Sequence, residues 1–128
     1  MVIDSSALIA ILFEESGFRA LVERAGDSDL VLIGAPTVFE ASMVLTSRFR
    51  SDARLRLTGL LDTMRIEIVP FGPEHFDAAL EAFRRFGKGR HPAKLNFGDC
   101  MSYAVASVAG LPLLYTGNDF SKTDIEAA

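Results

Sequence analysis

Two patterns of apolar residues share this chain. In one, a few apolar residues run together and stop at a turn former. In the other, apolar residues return every three or four positions over ten or more residues, the spacing of a helical face. The short runs are "MVID" at the start, "LVLIG" between Asp29 and Gly34, "IEIV" closed by Pro70, and "LPLLYT" near the end, and each predicts a strand. The longer pattern predicts helices over "ALIAILFEES", "FRALVERAG" ending at Gly26, "APTVFEASMVLTSRF", Arg54 to Met64, "PEHFDAALEAFRRFG" stopped by Gly87, and a segment around Asp99 that ends near Gly110. The fifth of these is the most regular, with Phe76, Ala79, Leu80 and Phe83 on one face. A hydroxyl of Ser5 or Ser6 is placed to cap the first helix.

Strands alternating with helices predict an α/β domain of three layers, with a central, mainly parallel sheet of four to five strands flanked by helices. No internal repeat, linker or low-complexity tract interrupts it. In such sheets ligands bind in the crevice at the carboxyl ends of the strands. Asp4 lies at the end of the first strand, and Asp119, preceded by Asn118, follows the fourth. Glu40 and Asp99 each fall in the first turn or so of a helix able to begin at the same edge.

Composition narrows this picture. A chain of 128 residues, 49% of them hydrophobic, supports one core and hence a single domain over residues 1–128. The lone cysteine, Cys100, permits no intrachain disulfide and no zinc site, which fits a reducing cytoplasm. The apolar start carries Asp4, lacks a basic leader, and falls short of the roughly 18 apolar residues of a membrane span, so it reads as part of the fold. A net charge of -4 argues mildly against nucleic acid. Locally the balance reverses: from Arg84 to Gly98 the chain carries Arg84, Arg85, Lys88, Arg90 and Lys94 and no acid. Gly87 and Gly89 within that stretch suit a mobile loop.

Each acid also has a purely structural reading. Thr37 to Glu40 and Asn96 to Asp99 both have capping-box spacing. Asp4 serves equally to start a turn, and Asp119 to cap a terminal one. Joint placement is harder to explain this way. Two carboxylates about 4 Å apart repel by around 4 kcal/mol at an effective dielectric of 20, which a divalent cation turns into attraction. Carboxylates without histidine or cysteine partners favour a hard ion, Mg²⁺ or Mn²⁺. His75, opening a helix, and His91, in the basic loop, read as packing or surface residues.

Asp4 in "VIDSSALIAIL", Glu40 in "PTVFEA", Asp99 in "LNFGDCMSYA" and the terminal "LLYTGNDFSKTDI" stand in one order over nearly the whole chain. In this the sequence, from Val2 to Ile125, closely resembles PIN-domain ribonucleases, specifically the VapC toxins of bacterial VapBC toxin–antitoxin pairs. The resemblance implies that Asp4, Glu40, Asp99 and Asp119 are a catalytic quartet binding Mg²⁺ or Mn²⁺, with Ser6 as a supporting hydroxyl. Family members often carry an acid where this chain has Asn118, so Asn118 and Asp119 both remain candidates for the fourth position. A VapB-like antitoxin and a homodimer are implied as well.

The expected chemistry is metal-dependent hydrolysis of RNA, with Asp4 and Asp99 as primary ligands and Glu40 holding a second ion or orienting water. Arg84, Arg85, Lys88, Arg90 and Lys94 would contact RNA phosphates, unless they form only a solvated loop. Two rivals stay open: a non-catalytic module that binds RNA or an antitoxin, and a metal-dependent phosphohydrolase acting on small phosphate esters. A phosphoacceptor receiver domain fits poorly, because no Asp ends the "IEIV" strand.

Overall fold

The computed structural model describes residues 1–49 and 53–128. Its elements run β1 (Val2–Ile3), α1 (Ser5–Leu12), α2 (Phe18–Gly26), β2 (Val31–Gly34), α3 (Ala35–Phe49), α4 (Arg54–Thr63), β3 (Ile66–Val69), α5 (Pro73–Phe86), α6 (Phe97–Ala109) and β4 (Leu113–Leu114), followed by a 3-10 turn at Phe120–Lys122. The four strands form one sheet in the order β3-β2-β1-β4, every neighbouring pair parallel. The C-terminal tail lies beside β4, where Leu113 N–H donates to the Glu126 carbonyl at 2.8 Å and Ala128 N–H to the Leu113 carbonyl at 3.0 Å.

Alternation along the strands sends side chains to opposite faces and so builds two cores. Ile3, Ile33, Ile66 and Leu114 pack with Leu8, Ala41, Leu45, Leu57 and Leu61 from the helices α1, α3 and α4. Val2 and Leu113 pack with Ala82, Phe86, Tyr103 and Val105 from α5 and α6. This is the three-layer architecture. From β1 the chain steps outward to β2 and β3, then returns to place β4 on the other side of β1. The strand order therefore reverses between β1 and β4, the position at which such sheets open a crevice.

The α5 face differs from what periodicity suggests. On α5 the buried residues are His75, Ala79, Ala82 and Phe86, while Phe76, Leu80 and Phe83 of the regular stripe face outward. Small alanines let α5 lie close on α6 and leave the large rings outside. On α4 the leucines divide: Leu57 and Leu61 are core, whereas Leu55 is exposed.

Candidate active site

Asp4 ends β1 and caps α1 at once. Its Oδ2 accepts from the Ser6 backbone N–H at 2.9 Å and from the Ser6 hydroxyl at 2.6 Å. The cap is thus the carboxylate rather than a serine hydroxyl. Ser6 Oγ in turn accepts from Thr116 N–H at 3.1 Å, so one hydroxyl ties the end of β1 to the segment after β4. Asp4 is 3% exposed. Its other oxygen, Oδ1, is buried without a hydrogen-bond partner, a costly state that points to an ion or water not supplied by the protein.

Glu40 lies in the second turn of α3. Thr37 and Glu40 do not form a capping box, because the helix starts at Ala35 and the Thr37 hydroxyl pairs instead with Ser102 Oγ at 3.2 Å. Glu40 turns to the start of α1, where Ser5 is its hydrogen-bond partner. Burial raises its pKa; the Ser5 bond opposes the rise, and the charge of Asp4 adds to it. Glu40 Oε2 is also buried without a partner. Gly98 makes room for this carboxylate: a Cβ there would stand 2.4 Å from Glu40 Oε1 and 2.7 Å from Oε2.

Asp99 occupies the first turn of α6 in a true capping box. Asn96 Oδ1 accepts from Asp99 N–H at 3.0 Å, and Asp99 Oδ2 accepts from Asn96 N–H at 2.7 Å. Yet its pKa is pushed up to about 6, first by burial, against the pull of the Asn96 N–H, and further by the charges of Asp4, Asp119 and Glu40. A backbone cap alone would lower it. Asp99 therefore serves the helix and shares the field of the three other acids.

Asp119 stands at the start of the 3-10 turn and makes no side-chain cap bond, so its carboxylate is not consumed there. Its charge reaches Asp99. Asn118 contributes its backbone carbonyl, which accepts from the Ser121 hydroxyl at 2.7 Å.

The charges of Asp4, Asp119 and Glu40 are thus all felt at Asp99. Among the described residues no three His, Cys, Asp or Glu side chains are drawn together into a ready ligand set. Asp4 and Asp99 each commit one oxygen to a helix cap. What remains is a pair of buried, unpartnered carboxylate oxygens, on Asp4 and Glu40, within an all-oxygen acidic field. That donor chemistry fits a hard divalent cation.

The basic residues divide. Arg85 is held by Asp124 at 2.8 Å, and Asp124 also accepts from the Tyr103 hydroxyl at 2.7 Å. Arg84 stands 3.7 Å from Glu81, and the Arg90 guanidinium lies 5.5 Å over the Phe83 ring. Lys88 and Lys94 are exposed, and among the described residues neither side chain is paired. Rather than hanging open, the loop is closed by backbone bonds between Lys88 N–H and the Leu95 carbonyl and between Leu95 N–H and the Phe86 carbonyl, both 3.0 Å. Both histidines are structural: His75 Nδ1 accepts from Gly72 N–H and His91 Nδ1 from Ala93 N–H, each at 3.1 Å.

Three contributors escape a reading of the sequence: Ser5, Gly98 and the Asp124 tether. Only Gly98 left a signal, a glycine inside a helix's first turn, which usually has a packing reason.

Comparison with known proteins gives the family of the chain. The family model for the PIN domain matches residues 1–126. Ribonuclease VapC36 of Mycobacterium tuberculosis is 42% identical over 127 residues, covering 98% of this chain and 91% of the relative. Ribonuclease VapC of Mycolicibacterium smegmatis is 41% identical, covering 99% and 98%. Among solved structures, M. tuberculosis VapC20, described as a sarcin-ricin loop cleaving toxin, superposes with a TM-score of 0.77 at 17% identity, covering 99% of this chain and 97% of that one. A toxin-antitoxin complex from Klebsiella pneumoniae gives a TM-score of 0.69 at 22% identity, covering 96% and 92%. The chain belongs to the PIN-domain family and, within it, to the VapC ribonucleases.

Proposed function

We propose that the protein is a Mg²⁺- or Mn²⁺-dependent endoribonuclease, the toxin of a cytoplasmic toxin–antitoxin pair, which hydrolyses RNA phosphodiesters in the crevice between β1 and β4. The observation that carries this is the pair of buried, unpartnered oxygens on Asp4 and Glu40 beside Asp99. Asp4 and Asp99 would hold the ion, with Glu40 and Asp119 completing its surroundings. When bound, such an ion supplies Lewis acidity and a more acidic water.

The chain's own groups do the rest. Glu40, its pKa raised by burial, is suited to take a proton from the attacking water. Ser6 keeps Asp4 oriented through its 2.6 Å bond. Lys88, Lys94, Arg84 and Arg90 supply positive charge for RNA phosphates, and Arg85 joins them only by leaving Asp124. A VapB-like antitoxin presenting arginine would pair with the carboxylates and shut out metal and substrate together. The working unit is a homodimer.

The test is cleavage of RNA by the purified chain, expected to require added Mg²⁺ or Mn²⁺, to stop with EDTA, and to disappear in Asp4→Asn. RNA or antitoxin binding without any metal-dependent cleavage would favour the non-catalytic reading. Turnover of a small phosphomonoester with RNA untouched would favour the phosphohydrolase.

A further inference from the structure

Two hydroxyls lie in the core where apolar groups would pack as well. Thr37 on α3 is 1% exposed and Ser102 on α6 0%, and their oxygens stand 3.2 Å apart, so one donates to the other across the two helices. Other helical hydroxyls behave differently. Ser42 on α3 donates to the Val38 carbonyl at 2.8 Å, and Thr58 and Thr63 on α4 donate to the Arg54 and Gly59 carbonyls at 2.9 and 2.7 Å, each turning back onto its own helix. Thr37 and Ser102 instead reach across an interface. Their surroundings are tight: a Cβ on Gly34, at the end of β2, would stand 2.9 Å from Val105 Cγ2 and 3.5 Å from Thr37 Oγ1.

The place of the pair matters more than its strength. Thr37 lies three residues before Glu40 and Ser102 three after Asp99, so each hydroxyl stands about one turn along its helix from an acid. Glu40 in turn lies against Gly98. The helices α3 and α6 therefore touch at successive levels, first through the hydroxyl pair and then through the carboxylate over the glycine. At the second level charge opposes the contact, because the charge of Glu40 is felt at Asp99 and like charges repel. The hydroxyl bond, one turn deeper in the core, resists that separation. For stability alone an apolar pair would serve nearly as well, since replacing both partners of a buried hydrogen bond by apolar groups of the same shape is close to neutral. What the hydroxyls add is register: apolar surfaces slide past one another at little cost, whereas two buried hydroxyls satisfy each other in one alignment.

We infer, resting on the metal-dependent reading above, that Thr37 and Ser102 are positioning residues, whose shared hydrogen bond fixes α3 against α6 and so holds the Glu40 carboxylate beside Asp99 for the cation. Neither residue touches the cation or the RNA. Their effect passes through the two helices: without the bond, repulsion between the acids and the remaining packing set the alignment, and Glu40 leaves its seat on Gly98. Metal affinity, rather than folding, then carries the loss.

Calorimetric titration with Mn²⁺, run well below every melting temperature, tests this. Thr37→Val and Ser102→Ala should each bind Mn²⁺ about tenfold more weakly than the parent, the lower end of what losing an orienting group costs. The double variant Thr37→Val/Ser102→Ala leaves neither hydroxyl unpaired, so it should melt close to the parent and still bind about tenfold more weakly. Thr37→Ser keeps the hydroxyl and should bind as the parent does. Leu45→Val, on the same helix and 1% exposed, is the control for lost stability alone: it should melt lower with affinity unchanged. Parent-like affinity in the double variant, or weakened binding in Thr37→Ser or Leu45→Val, overturns the inference. If Thr37→Val fails to fold, Ser102→Ala, a substitution that favours a helix, decides by itself, and parent-like affinity there overturns the inference equally. A parent that binds no Mn²⁺ is a separate failure, seen before any variant is compared: it sinks the metal-dependent reading and takes this inference with it.

Discussion

The carboxylate of Asp99 accepts the Asn96 N–H at 2.7 Å and sits in the field of Asp4, Asp119 and Glu40. Its folded pKa of about 6 exceeds the ordinary 3.8. Between about pH 4 and pH 6 the folded protein therefore keeps a proton that the unfolded chain has released, and stability falls as pH rises through that window. Glu40, also raised, acts in the same direction. Asp99→Asn removes the charge yet keeps an oxygen that can accept from Asn96, so cap and field become separable. Without metal at neutral pH this variant is expected to melt at the parent's temperature or higher, and its melting temperature should vary less between pH 4 and 6. It should also gain less from added Mg²⁺ or Mn²⁺, because ligand stabilisation follows RT ln(1 + [L]/Kd), and lose RNA cleavage. Thermal scans across pH, with and without metal, read all of this, with Asp62→Asn as an exposed control. A destabilised but fully active Asp99→Asn would leave the residue as a cap and nothing more.

Between elements, the close approach of α3 to the start of α6 is what brings Glu40 to the crevice, and Gly98 is the position that permits it. Alanine at 98 would favour the helix by up to about 1 kcal/mol, but its Cβ would meet the Glu40 carboxylate at 2.4 Å. Because that group ends a flexible side chain, Glu40 should swing away rather than the helix shift. Gly98→Ala is thus expected to melt at or above the parent's temperature while binding Mn²⁺ roughly tenfold or more weakly, the usual scale for a group that orients a ligand. Calorimetric titration against thermal melting checks the opposite signs, and unchanged metal affinity would remove Gly98 from the site. This also explains what could be read in advance. Strand and helix order was legible because period is local, and the strand-end acids followed from that order. Which face of α5 turns inward was not, because the choice between Phe76 with Leu80 and Ala79 with Ala82 depends on how closely α6 approaches. Gly98 against Glu40, and Arg85 with Asp124, join residues distant in sequence, which no local pattern relates.

At the scale of the whole molecule, an acidic chain is proposed to bind a polyanion. Its net charge of -4 opposes RNA at long range, and its acidic crevice repels phosphate until a cation is held there. Binding must therefore come from a few local cations, and the structure ranks them. Arg85 is engaged by Asp124 at 2.8 Å, Arg84 stands near Glu81, and Lys88 and Lys94 face solvent on a loop tied to the start of α6, next to Asp99. Counterion release makes the ranking measurable, since each lost phosphate contact lowers the slope of log affinity against log salt by about 0.7–0.9. Lys88→Ala and Lys94→Ala should each reduce the slope by about that amount and weaken RNA binding alike across sequences, with Mn²⁺ affinity unchanged. Arg85→Ala should leave the slope nearly as it was, its effect falling instead on the C-terminal segment that Asp124 fastens to Tyr103. Salt titrations of RNA binding by an uncleaving Asp4→Asn parent, with each substitution added in turn, distinguish these outcomes. If Arg85→Ala lowers the slope and the two lysine substitutions do not, RNA approaches over the α5 face rather than along the loop.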